Sequence, residues 1–273
     1  LLDKGAAWAD SPAAVAADSD IVLTMVFGPR ELIEVVRGEN GLLSAQKKDA
    51  RGWIDLTTGS PRLMRELAAE MEAAGWAWAL DAPVTGSVDA AIRGDMIMFV
   101  GGEDDAAARA MPVLRALGEP RRAGKIGAGQ VAKLTNNLIW KINAAAIGEA
   151  LVAAKKAGME PDTWRRIMLG GAADTFVLRH DVPSIFAGHY DPSFPLALCM
   201  KDWGLISEFL RETETRGEIA AAAMARFAEA ASRYGEGAGE MTVCKLLEED
   251  AGVSLRAEGD WIPPWEVKHG DDK

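Results

Sequence analysis

Short apolar runs alternate with segments of helical periodicity over residues 1–126, a pattern that predicts strand–helix–strand units around a mostly parallel sheet. The predicted strands are IVLTMV at 21–26, GWIDLT at 52–57, and residues 76–81 and 96–100. Ser11 followed by Pro12 reads as a helix cap and first-turn pair ahead of the first strand, and another helix is predicted from near Pro29. Ser60 and Pro61 repeat that pair before LMRELAAEMEAAG, where Leu63, Leu67 and Met71 share one face and Gly75 stops the helix. From Val131 the pattern changes: VAKLTNNLIWKINAAAIGEALVAAKKAG keeps helical spacing as far as Gly158, a helix of roughly 40 Å at 1.5 Å per residue. Further helices are predicted at 161–169, 202–213 and 218–234, with no strand among them. His180 and His189 fall in a stretch without periodicity, which reads as a solvated connection, with a role in substrate selection as the alternative. Residues 257–273, with Pro263, Pro264 and several acids, are expected to form a mobile tail.

Composition narrows the class. At 273 residues, 49% of them hydrophobic and 26% charged, the chain reads as one large or two ordinary soluble domains and not as a disordered or fibrous protein. A net charge of -11 repels phosphate backbones and anionic membranes, so neither nucleic acid nor a membrane is an expected partner. No stretch has the roughly 18 uncharged apolar residues of a membrane span, because Glu149, Lys155, Glu218 and Arg226 interrupt the alanine-rich runs. Two cysteines and three histidines at scattered positions predict no structural metal and a reducing, cytoplasmic setting. The first residue is Leu1, and LLDKGAAWAD lacks the basic start and apolar centre of a signal peptide, so the chain is expected to begin inside a longer protein.

Two segments carry candidate chemistry. In GAGQVAKLTNN, at 127–137, Lys133 and Asn137 lie four apart near the start of the long helix and share a face. The helix dipole and desolvation there oppose the charged amine, which suits a general acid or base; a surface lysine on an amphipathic helix is the plainer alternative. In DAPVTGSVDAAIRGDMIMFVGG, at 81–102, a strand ends in Thr85, Gly86 and Ser87, hydroxyls and backbone N–H groups of the kind that hold a carboxylate at the carboxyl end of a sheet. An ordinary strand-to-loop turn favours the same residues.

Taken in order, TMV at 24–26, NGLL at 40–43, DLTTGSP at 55–61, DAPVTGS, GDMIMFVGG, GAGQVAKLTNN and LCMKDWGL at 198–205 resemble the β-hydroxyacid dehydrogenase family over nearly the whole chain. The resemblance implies an N-terminally truncated α/β Rossmann-like domain with a parallel sheet at 1–126. An all-α substrate and oligomerisation domain follows at 127–256, joined to the first by the long helix. It implies hydride transfer between NAD or NADP and a small 3-hydroxy acid or its semialdehyde, with Lys133 as general acid or base and Asn137 on substrate oxygen. Thr85, Gly86 and Ser87 take the place of the carboxylate cradle, where the family usually has glycine at the third position. Met25, Val26, Phe27, Glu31, Thr58 and Lys201 match cofactor contacts, with Phe27 replacing a usual proline; an ion pair to Asp202 or Glu208 is the plain alternative for Lys201. A homodimer or homotetramer is implied as well, in keeping with the apolar faces of the helical half.

The strand, glycine-rich turn and second strand that open a dinucleotide site are not read anywhere in this sequence, and GAGQ is no substitute because it precedes the lysine helix. Residues 6–9 are taken as the third strand region, and the missing part is expected upstream. A competing reading is a non-enzymatic module that keeps the fold without a working nucleotide site. Against it stands the joint presence of the lysine, its asparagine and the hydroxyl-rich segment. The basic cluster Arg121, Arg122 and Lys125 reads either as a lure for an anionic substrate or as a solvated strand. Cys199 and Cys244 read as small core residues, and Trp76, Trp78 and Trp140 as packing.

Overall fold

The Ser11 side chain accepts the amide of Ala14 and starts α1 (Pro12–Ala17), as the Ser-Pro pair predicts. The computed structural model describes residues 1–45, 51–259 and 261. After α1 come β1 (Ile21–Thr24), α2 (Pro29–Arg37), β2 (Gly52–Asp55), α3 (Pro61–Ala73), β3 (Trp78–Asp81), β4 (Val84–Thr85), α4 (Ser87–Arg93), β5 (Met96–Gly101), α5 (Asp104–Leu117) and β6 (Gly118–Gly124). Then follow α6 (Ala128–Lys156), α7 (Pro161–Met168), a π-helical turn at Val177–Asp181, α8 (Val182–Ala187), α9 (Leu196–Glu212), α10 (Glu218–Tyr234) and α11 (Thr242–Ala251). Chain contacts divide the molecule into one unit of Leu1–Gly86 with Arg93–Leu134, and a second of Ser87–Ile92 with the chain from Thr135 onward. That division runs through α6, and it assigns most of α4 to the second unit.

In the first unit the sheet order is β1-β2-β3-β5-β4, with β6 against β5. β1, β2 and β3 are parallel neighbours, as are β5 and β6, but β5 runs antiparallel to β3 and β4. The sheet is therefore mostly parallel, as expected, with short antiparallel pairings at β5 that the sequence did not show. β2 is buried at every position, so its two faces feed two cores. Trp53 joins Val22, Leu32, Val36, Leu67 and Met71 on one side, and Ile54 joins Leu80, Met98, Val100, Ala110 and Leu114 on the other. Residues 6–9 form no strand: they are mainly alanine, and Trp8 is exposed with its indole on Asp10.

Among the described residues the second unit is helical, with one isolated bridge between Pro195 and Gly239. α9 begins six residues before the predicted start, since Leu196 and Cys199 already face inward. Trp203 stacks edge-on to Phe227 of α10 at 5.9 Å. Lys141 is fully buried among the rings of Trp140, Phe194, Trp203 and Phe227, 5.4–5.9 Å from their centroids. Most of the expected tail lies outside the described residues, and Trp261 packs on Phe186. Among the described residues no helix is long and apolar enough to cross a membrane.

Candidate active site

β1, β2 and β3 end level with one another in Thr24, Asp55 and Asp81. These polar ends, on strands otherwise rich in apolar residues, form the carboxyl edge where open α/β sheets take ligands. Asp55 is wholly buried, and its Oδ1 accepts the Thr24 hydroxyl at 2.8 Å and the Thr57 amide at 3.2 Å. The Trp53 indole in turn donates to Thr24 Oγ1 at 3.0 Å, and the Val26 amide donates to Thr57 Oγ1 at 3.2 Å. One buried carboxyl thus ties the loop after β1 to the loop after β2.

Burial pushes Asp55 up to about 7; the bonds from Thr57 and Thr24 oppose the rise and the charge of Asp81 adds to it. Its folded value lies above its unfolded one, so the folded state holds the extra proton and loses stability as pH climbs from about 4 to about 7. Thermal midpoints measured across that range should fall for the native chain and fall less for Asp55→Asn. Equal slopes would show that Asp55 is already ionised in the folded protein.

Four of the predicted cofactor contacts sit on these two loops. Met25 and Phe27 are 61% and 72% exposed just past β1, Val26 is half-buried between them, and Thr58 is half-buried beyond β2. Glu31 is exposed in the first turn of α2. Exposed apolar side chains beside a hydroxyl fit the flat ring end of a dinucleotide, and Glu31 suits a sugar hydroxyl better than a phosphate.

Asp81 organises the start of α6. Its carboxylate accepts the amides of Gly127 and Gln130, each at 2.7 Å, and serves as a cap supplied from another element. Gly129 lies so close to the Phe99 carbonyl and the Asp81 carboxylate that a Cβ would clash with both. Gly129 of GAGQ therefore serves this capping geometry. Gln130, wholly buried, accepts from the Gly59 amide at 2.8 Å and donates to the Thr57 carbonyl at 2.7 Å. Lys133 follows within the first two turns of α6 and is 9% exposed, which excludes the plain surface lysine. Asp55, Asp81, Thr57 and Gln130 were not singled out from sequence. The available signal was a helix start, Lys125 to Gly127, with no Ser, Thr, Asp or Asn to cap it.

Thr85 closes β4, Gly86 has φ +124°, and Ser87, the first residue of α4, has φ +66°. A serine in the left-handed region is strained by about 1 kcal/mol. The strain falls at the position where the family resemblance expects glycine.

In the second unit, Asn137 donates through Nδ2 to Asp202 Oδ2 at 2.8 Å, while Asn136 donates to Asn137 Oδ1 at 3.1 Å. Asp202 is buried, and Lys201 Nζ stands 3.0 Å from its other oxygen. Asn137 and Lys201 are thus joined through one carboxylate, and Lys201 makes the ion pair considered for it. His180 is not a solvated loop residue. It lies half-buried in the π-helical turn, its ring stacked on Phe176 at 4.6 Å, with Nδ1 2.6 Å from Asp181 and Nε2 3.3 Å from Asp89. His189 is half-buried after α8 and accepts the Asp191 amide. Trp140 is more than packing, since its indole donates to Asp181 Oδ2 at 2.8 Å.

Arg121 and Arg122 lie on β6. Arg121 pairs with Glu119, and Arg122 donates to the carbonyls of Val100 and Gly102 and to Asp104. Both guanidinium groups thus have partners within the unit. Cys199 and Cys244 are free, fully buried thiols, pushed up from their ordinary pKa by burial.

Comparison with known proteins identifies the family. The NAD binding domain of 6-phosphogluconate dehydrogenase matches residues 1–132, and the NAD-binding of NADP-dependent 3-hydroxyisobutyrate dehydrogenase matches residues 127–247. The chain is 34% identical to the uncharacterized oxidoreductase YkwC of Bacillus subtilis (strain 168), over 80% of this chain and 74% of that one. It is 34% identical to the mitochondrial 3-hydroxyisobutyrate dehydrogenase of Mus musculus over 78% of this chain, and it spans 65% of that relative's length. Among solved structures, Mycobacterium tuberculosis 3-hydroxyisobutyrate dehydrogenase with L-serine superposes with a TM-score of 0.77 at 29% identity, covering 86% of this chain and 81% of that one. The fold and these matches place the chain among dehydrogenases with NAD-binding domains. The chain belongs to the β-hydroxyacid dehydrogenase family.

Proposed function

We propose that this protein transfers hydride between NAD or NADP and a small 3-hydroxy acid or its semialdehyde, with Lys133 as the proton carrier. The observation that carries this reading is a buried lysine on a helix whose first turn is fixed by the Asp81 carboxylate. A lysine in that setting holds an ammonium to protonate a developing alkoxide in reduction, or a neutral amine to take the alcohol proton in oxidation. The dinucleotide, when bound, supplies the hydride donor or acceptor.

Thr85, Gly86 and Ser87 take the carboxylate through hydroxyl and amide donors, and Asn137 holds a substrate oxygen, oriented by its bond to Asp202. Met25, Val26, Phe27, Glu31 and Thr58 meet the dinucleotide at the sheet edge, and Lys201 reaches its charged part. The protein works in the cytoplasm as a homodimer or homotetramer; exposed Val88, Ile92, Ile139, Ile167, Phe176 and Ile219 on the second unit favour self-association.

The direct test is to mix the purified protein with 3-hydroxyisobutyrate and either nucleotide and follow nicotinamide absorbance. Steady reduction of one nucleotide is expected, and reduction of neither would reject the reading. Asn137→Ala should lower kcat/KM by about 10- to 100-fold, the worth of one or two oriented hydrogen bonds, through both kcat and KM. A change confined to nucleotide affinity would remove Asn137 from the substrate.

A further inference from the structure

We propose that His180 is a positioning residue for substrate binding: together with Asp181 it clamps α4 to α6, and so sets the placement of Ser87 and Asn137. The inference rests on the substrate roles given to those two residues above. The clamp has two jaws. The His180 ring reaches Asp89 of α4, two residues after Ser87, while its neighbour Asp181 takes the Trp140 indole on α6, three residues after Asn137. A 2.6 Å contact between His180 Nδ1 and Asp181 Oδ1 joins the jaws. Asp89 and Asp181 are both buried, so neither is free to swing to solvent.

α4 needs such a hold. It is only seven residues long, it begins on a strained serine, and Val88 and Ile92 on it are exposed. A short helix with few buried side chains does not order itself. Asp89 and Ala90 are its buried residues, and Asp89 is the one that meets the imidazole.

The charges around the ring give the clamp a pH dependence. Asp89 faces it from α4 and Asp181 from its own turn, the indole of Trp140 is neutral, and the acids Asp191 and Glu240 act on Asp181 from behind. Arg179 is turned away on Asp174, and Arg165 is engaged by the carbonyls of Leu178 and Arg179. Burial works against the charged ring, but the bond to Asp181 and the charges of Asp181 and Asp89 outweigh it, leaving His180 above its ordinary value. The clamp is therefore complete below that raised value and weakens as pH rises through it.

The test compares the native chain with His180→Gln, Asp89→Asn and Thr85→Ala. It reads the His180 ring proton by NMR titration, hydrogen exchange at the amides of residues 87–92, and kinetics with 3-hydroxyisobutyrate. In His180→Gln and Asp89→Asn those amides should exchange at least about tenfold faster while the β1–β3 amides keep their protection. KM should rise about tenfold with kcat within about twofold and nucleotide affinity unchanged. In the native chain KM and the α4 exchange, corrected for intrinsic rates, should rise together at the pH where the His180 resonance titrates, and His180→Gln should lose that step.

Unchanged exchange and KM in both clamp variants would overturn the proposal, and so would faster exchange with an unchanged KM, which marks a merely structural pin. If Thr85→Ala raises KM while the clamp variants do not, the clamp fails and the substrate reading stands. If Thr85→Ala leaves KM alone, the substrate reading fails, and exchange with titration still decides whether His180 holds α4. Should His180→Gln not fold, Asp89→Asn and the native pH dependence carry the same decision.

Discussion

Replacing Lys133 by alanine lowers turnover by about two to four orders of magnitude, the usual worth of a positioned acid or base, and leaves nucleotide affinity nearly unchanged. The expectation follows from the burial of Lys133 on α6 and from the chemistry, which needs one proton carrier once hydride moves. Lys133→Arg separates charge from proton transfer. It keeps a cation but cannot release the proton near neutral pH, so it should be nearly as slow as the alanine variant. Steady-state kinetics together with nucleotide titration, followed by tryptophan fluorescence, checks both. Near-normal turnover in either variant would remove Lys133 from the mechanism.

Asp81→Ala should cost more stability than any other single change at the sheet edge. It strips two 2.7 Å acceptors from the buried amides of Gly127 and Gln130 and removes the negative charge that faces the N-terminus of a 29-residue helix. Two orphaned buried donors cost about 1–3 kcal/mol each, so the melting midpoint of the first unit should drop by on the order of 10 °C. Asp81→Asn keeps one acceptor and should lose about half as much. Thermal unfolding followed by far-ultraviolet circular dichroism measures both. A midpoint within about 2 °C of the native value for Asp81→Ala would mean that α6 does not depend on this cap. Turnover in Asp81→Asn, measured well below its melting point, reports how far Lys133 relies on the fixed helix start.

Local signals account for most of the elements. Ser-Pro pairs before α1 and α3, apolar runs at β1, β2, β3 and β5, and the sustained period of α6 and α10 were all legible before any contact was known. α4, α5 and α11 were not singled out. α4 is too short to show a period, and α5 carries Pro112 inside an alanine-rich stretch. The antiparallel pairing of β5 could not be read either, because strand direction depends on how the chain returns and not on which residues form the strand.

The site divides the same way. Lys133, Asn137, Thr85 and Ser87 could be proposed from the sequence because candidate chemistry concentrates in short motifs, and one turn of helix or one strand end is enough to present them. Asp55, Asp81, Gln130 and the His180 clamp were missed because each works across a gap in sequence: 31 residues from Thr24 to Asp55, 46 from Asp81 to Gly127, 71 from Gly59 to Gln130, 41 from Trp140 to Asp181. A lone acid or histidine looks the same on a surface as in a core until its partners are known.

The sequence by itself determined the α/β half, the long helix, the helical half and the family whose motifs run along them, since those rest on local periodicity and on residues close together in the chain. Tertiary structure alone decided which carboxylates are buried, which of them caps α6, which ties two loops together and which meets the His180 ring. Desolvation and hydrogen-bond partners set those roles, and both depend on what the fold packs against a side chain from far along the chain.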